Sequence, residues 1–192
     1  MRYGLLSTCL AAALVHLAAS ASLPATAALE ARVTPNTQDC VQYEKYIGIY
    51  DTTFSYSPAC ASVTSACLKE NGTSIWSHPA CVAAATCQGT TSVITLNQCQ
   101  NHNVLVSSAI PNMAAAIYGN IVGDCASSGC PITQQNYIDF IYGAMSAAGV
   151  TTWPNSVDDV VTDWWNPIVK WAATGDSIPY GNFNDWLHWS NS

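Results

Sequence analysis

Asp185 and His188 stand three residues apart near the end of a 192-residue chain. On a helix that spacing lets a carboxylate orient an imidazole. A nucleophile to complete a hydrolytic set is lacking: there is no Gly-x-Ser-x-Gly, and every cysteine beyond the N-terminal segment is expected to be bridged. A local helix-stabilising pair is the simpler account. Glycoside hydrolysis needs a different arrangement, two carboxylates flanking the scissile bond, one protonated and one ionised. Asp159 and Asp163 lie four apart on the polar side of an expected helix, with Lys170 nearby in projection. A solvated helix face explains them more simply, and Asp158 and Asp159 suit a first helical turn, where the dipole favours acids. Asp163, Asp185 and His188 are therefore the catalytic candidates, and no commitment to catalysis follows from them.

The seven tryptophans suggest another chemistry, because exposed indole faces stack on sugar rings. Trp164, Trp165 and Trp171 fall in an apolar helical stripe and are expected in the core. Trp186 shares a face with Phe183 and Leu187, with the same expectation. Trp76, Trp153 and Trp189 fall in loops or off the apolar face, which makes them the candidates for ligand binding.

Eight cysteines follow the N-terminal segment: Cys40, Cys60, Cys67, Cys81, Cys87, Cys99, Cys125 and Cys130. An even count in an exported chain implies a disulfide framework, though not its connectivity. Cys125 and Cys130 bracket a tight loop and could pair with each other or with upstream helices. No Cys-x-x-Cys is present, so neither a metal nor a cofactor is expected. Asn71-Gly72-Thr73 is a glycosylation sequon, consistent with an exposed turn in the secretory pathway.

The N-terminus supports export. Arg2, an apolar run over residues 5–18 and Ala19-Ser20-Ala21 have the form of a cleaved secretory signal over residues 1–21. The run is too short to be a permanent membrane helix. Residues 22–38 read as a disordered leader or a pro-segment trimmed after Arg32. Residues 39–192 read as one domain's worth of chain, in which neither a later membrane span nor a lipid-anchor tail is expected. Between residues 39 and 192 three lysines, Lys45, Lys69 and Lys170, face eleven acids. No basic patch is available to neutralise phosphates, which argues against nucleic-acid or anionic-membrane partners.

The elements that position these residues read as helix after helix. Cys40, Tyr43, Ile47, Tyr50 and Phe54 recur at helical spacing. Ser57-Pro58 starts a helix carrying Cys60, Val63 and Cys67, stopped at Asn71-Gly72. Ser77-His78-Pro79 starts an alanine-rich helix with Cys81 and Cys87. Residues 92–96 are the one candidate strand, treated as loop or edge structure for want of a partner. Residues 103–122 are expected to be helical on both sides of Pro111. Thr133 caps a helix that ends at Gly149. Ser156 and Asp159 form a capping-box variant before a stripe that crosses Asn166-Pro167, predicting a kinked helix or two helices in line. A short helix from about Asn182 to Trp189 closes the chain. The fold class is all-α: a single-domain, disulfide-stapled bundle of about six to seven helices.

The segments Trp153-Pro154-Asn155-Ser156-Val157-Asp158-Asp159, Trp164-Trp165-Asn166-Pro167-Ile168-Val169 and Asn182-Phe183-Asn184-Asp185-Trp186-Leu187-His188-Trp189 resemble small secreted cysteine-rich proteins of basidiomycete fungi. The resemblance spans roughly residues 125–190 and implies secretion and a fungal source. It implies no activity and carries over no functional residue. The expected function is that of a non-catalytic extracellular interaction protein, an effector or cell-surface factor that meets a glycan or protein surface. The alternatives are an acid-range polysaccharide hydrolase and a small apolar-ligand carrier.

Overall fold

The computed structural model describes residues 35–50 and 55–190. The segment read as a secretory signal (with Cys9), the expected trimming point at Arg32, and Phe54 lie outside them. The first helix, α1 (Thr37–Lys45), begins two residues before the expected domain start because Asn36 caps it. The Asn36 side chain accepts from the Asp39 amide at 2.9 Å and donates to its carboxylate at 2.7 Å. The expected continuation of this helix to Phe54 does not occur. The chain turns at Gly48 (φ 82°) into strand β1 (Ile49–Tyr50), which pairs antiparallel with β2 (Ser55–Tyr56).

The buried side of that turn explains the break. The Gln88 side chain accepts from the Gly48 amide at 2.6 Å and donates to the Tyr46 carbonyl at 3.2 Å, capturing groups that a continuing helix would use. A Cβ at Gly48 would sit 2.7 Å from Ala61 Cβ, in a backbone region hostile to side chains. Gly48→Ala is therefore expected to cost about 1–3 kcal/mol, measured as a lowered denaturation midpoint at unchanged m-value.

Ser57 caps α2 (Pro58–Cys67) by accepting from the Cys60 amide, with Pro58 at the first helical position as expected. After the short 3-10 turn Ile75–Ser77 comes α3 (Pro79–Gln88), in which every residue from Ala80 onward is buried. A helix that is apolar all round belongs at the centre of a fold. Here α3 packs against α2, α4 (Thr90–Gln100), α6 (Gln134–Ala147) and the segment that follows α7 (Val157–Asp159). Its alanines let these neighbours approach closely.

The expected edge segment at residues 92–96 is helical, forming the middle of α4. Its β-branched residues favour a strand locally, but Val93, Ile94, Leu96 and Asn97 meet the core at helical spacing, and tertiary burial overrides propensity. Gly89 (φ 91°) makes the sharp turn between α3 and α4.

Four disulfides staple the all-α framework. Cys60–Cys87 and Cys67–Cys81 are nested, which locks α2 and α3 as an antiparallel pair. Cys40–Cys99 ties α1 to α4, and Cys125–Cys130 closes its own loop. Of residues 103–122, only α5 (Ala115–Val122) and a 3-10 turn at Ser107–Ala109 are helical; the stretch around Pro111 is irregular. Proline disfavours a helical residue before it, and the Met113 amide is satisfied from outside by the Asn184 side chain at 2.7 Å. Thr133 and Asn136 form a capping box on α6.

The tryptophan stripe forms one helical run. α7 passes into a π-helical segment (Val160–Trp165) and then into α8 (Asn166–Ala172). The Asn166 amide bonds back to the Val161 carbonyl, five residues earlier. This wider turn accommodates Pro167, whose ring would otherwise crowd the preceding turn. β3 (Ile132–Thr133) pairs antiparallel with the distant β4 (Ser177–Ile178), which leads into α9 (Tyr180–Trp189). Among the described residues no helix is long and apolar enough to cross a membrane.

Candidate functional site

Trp153 follows α6 in an irregular segment, where its ring stacks on Tyr142 with centroids 5.9 Å apart and planes 7° from parallel. One face is thereby supported, yet the residue stays 41% exposed. Stacking on a neighbour orients an indole without hiding it. Across from it stands Tyr56, delivered by β2 and 62% exposed. The two line one open cleft of about 380 Å³. Asn155, Asp159 and Asp163 supply its polar groups, and buried Trp164 and the Ser57–Ala59 start of α2 complete its lining.

Local sequence explains each placement. The Ser57 cap and Pro58 start α2 immediately after β2, so Tyr56 projects at the cleft edge and not into the core. Ser156 accepts from the Asp159 amide at 3.1 Å and donates to the Asp159 carboxylate at 3.0 Å. That cap starts α7 and sets Asp159 and Asp163, one helical turn apart, on the cleft side. Both carboxylates thus come from one helical run and do not oppose each other, as glycoside cleavage requires. The chemistry within reach is recognition, with aromatic faces for the apolar side of a sugar ring and oxygen acceptors for its hydroxyls.

The other candidates lie elsewhere. Trp76 is fully buried in its 3-10 turn, where its carbonyl accepts from the Ala114 amide at 3.1 Å. A sealed indole offers no face to a ligand, so its apparent loop position was misleading. Trp189 is 59% exposed at the end of α9, outside the cleft and 6.5 Å from the His188 ring. Trp171, expected in the core, is 43% exposed, whereas Trp164, Trp165 and Trp186 are buried as expected. The π-helical turn shifts the phase of the stripe, so a position read as apolar on an ideal wheel faces out.

His188 is not oriented by Asp185. Its Nδ1 lies 2.6 Å from the Asn184 carbonyl and its Nε2 lies 2.8 Å from the Ile110 carbonyl, so whichever nitrogen carries the proton donates it to backbone. Asp185 is exposed. The imidazole is a clamp holding the irregular segment before α5 against α9, joined by Ser107, whose hydroxyl donates to the His188 carbonyl. His188→Leu is expected to cost about 1–3 kcal/mol through the unsatisfied Ile110 carbonyl, read as a lowered melting temperature with binding at the Trp153 cleft unchanged.

All eight cysteines in the described residues are bridged, and no group of three or more His, Cys, Asp or Glu there could hold a metal ion. Asn71 is exposed. Neither a family model, nor a curated protein, nor a solved structure matches the chain. Function must therefore be read from the cleft. Of its residues, Trp153 and Asp163 carry a signal in sequence. Tyr56 and Asn155 do not: nothing in a single sequence marks two residues about a hundred positions apart as neighbours.

Proposed function

We propose that this chain is a secreted, cysteine-rich interaction protein that contacts extracellular glycans without cleaving them. The observation that carries this reading is the cleft in which Tyr56 and Trp153 are both exposed beside Asn155, Asp159 and Asp163. Large exposed aromatics sharing one concavity mark interaction sites more often than chance exposure does. The four disulfides suit an oxidising compartment, and the N-terminal signal pattern supplies the route to it. Exposed Asn71 within its sequon supports glycosylation on that route, and the fungal source rests on the resemblance alone.

The hydrolase alternative draws less support. Asp159 is committed to its Ser156 cap, and Asp163 shares its helix flank. The carrier alternative has a hollow of about 270 Å³ between α5 and α6, but it is an open surface hollow that also carries Asn120 and Asp139 and does not enclose a ligand. The deciding experiment incubates the mature protein, expressed in an oxidising host, with insoluble chitin, β-glucan and cellulose at mildly acid pH. Depletion of protein from the supernatant on one polymer, without release of soluble sugar, is the expected result. Sugar release lost on Asp163→Asn would overturn the non-catalytic reading, and no depletion on any polymer would overturn glycan contact.

A further inference from the structure

A second cleft of about 420 Å³ adjoins the first and shares its Tyr56 and Pro58. One wall is the flank of α2 that carries Ser62 and Ser65, continued by Lys69 in the turn just past its end; the other is the segment from Ala148 to Thr152, which leads directly into Trp153. Tyr56 therefore stands between two hollows that follow the same pair of elements, α2 on one side and the chain between α6 and α7 on the other. Each hollow is by itself of the size that accepts a small ligand. A terminal sugar would need only the aromatic one.

We infer that the two clefts form one groove that holds an internal stretch of a chain glycan, running from Trp153 past Tyr56 to Lys69. This rests on the glycan-contact reading and extends it from a sugar to a chain. The chemistry changes along the groove in the way a polymer site requires. The Trp153 end supplies aromatic faces and carboxylates. The far end supplies hydroxyls from Ser62, Ser65 and Thr152 together with the Lys69 ammonium, donors for ring oxygens and acyl oxygens of sugar units beyond the platform. Tyr56, 62% exposed and lining both hollows, can contact the unit that crosses between them.

Affinity measured calorimetrically against oligomers of N-acetylglucosamine and, in parallel, of β-linked glucose, from monomer to hexamer, tests the inference. In the series that binds, affinity should rise about tenfold or more between dimer and hexamer. Ser65→Trp, a substitution at an exposed position of α2, fills the second cleft. It should reduce the hexamer to the affinity of the dimer while leaving the dimer unchanged. Equal affinity for all lengths, or a length dependence that survives Ser65→Trp in a variant with native circular dichroism, would overturn the groove and leave glycan contact standing. Absence of binding by every oligomer of both series would instead remove the reading beneath it.

Discussion

Trp153→Ala is expected to weaken polysaccharide binding by about thirtyfold, roughly 2 kcal/mol, with little loss of stability. The size follows from its position. The indole is stacked on Tyr142 and lines the cleft, so little rotamer freedom is lost when a sugar stacks upon it. Truncation removes both the platform and the preorganisation. Stability should change little because the side chain is 41% exposed. Trp189→Ala provides the contrast, since that indole is more exposed but lies outside the cleft. The check is a binding isotherm on the polymer that depletes the wild-type protein, with melting temperatures of both variants alongside. If Trp189→Ala abolished binding and Trp153→Ala did not, the site would move to the end of α9.

The largest loss of stability is expected from removing the Cys60–Cys87 bridge. Its 27-residue loop implies about 3.5 kcal/mol of chain entropy returned to the unfolded state in the double alanine variant. For a domain of this size that is a drop of roughly 7–14 °C in melting temperature. Loop length alone would rank Cys40–Cys99 higher, with 59 residues and about 4 kcal/mol. The structure reverses the order. α1 buries no residue, so without its bridge it can detach while the core persists, and the loss is local. Cys60 and Cys87 are fully buried between α2 and the central helix α3, so their loss is felt by the whole cooperative unit and leaves a void as well. Calorimetry of the two double variants separates the cases: the Cys60/Cys87 variant should melt lowest. The Cys40/Cys99 variant should gain protease sensitivity near α1 at a nearly native melting temperature.

Much of the fold was legible wherever a local signal was strong. Ser57-Pro58, the Thr133 cap and Ser156 with Asp159 begin helices as their side-chain chemistry demands, because each satisfies backbone donors that the first turn leaves open. The failures share a physical cause. Residues 92–96 have strand propensity that burial against α3 overrides. The helix expected to reach Phe54 stops because Gln88, forty residues away, takes its backbone groups at Gly48. Trp171 is exposed because a π-helical turn shifts the phase that an ideal wheel assumes.

What the amino-acid order determined by itself is the all-helical class, the pairing capacity of eight cysteines and the starts of most helices. Each depends on residues within a turn or two of one another, or on composition. The tertiary structure alone decided which cysteines pair and that Trp76 is core. It also turned His188 into a clamp on the Ile110 carbonyl. Above all it brought Tyr56 beside Trp153 and Asp163, from segments about a hundred residues apart. A binding cleft is made of such long-range neighbours, and their proximity is a property of how α2, α6 and α7 pack, which no local pattern encodes.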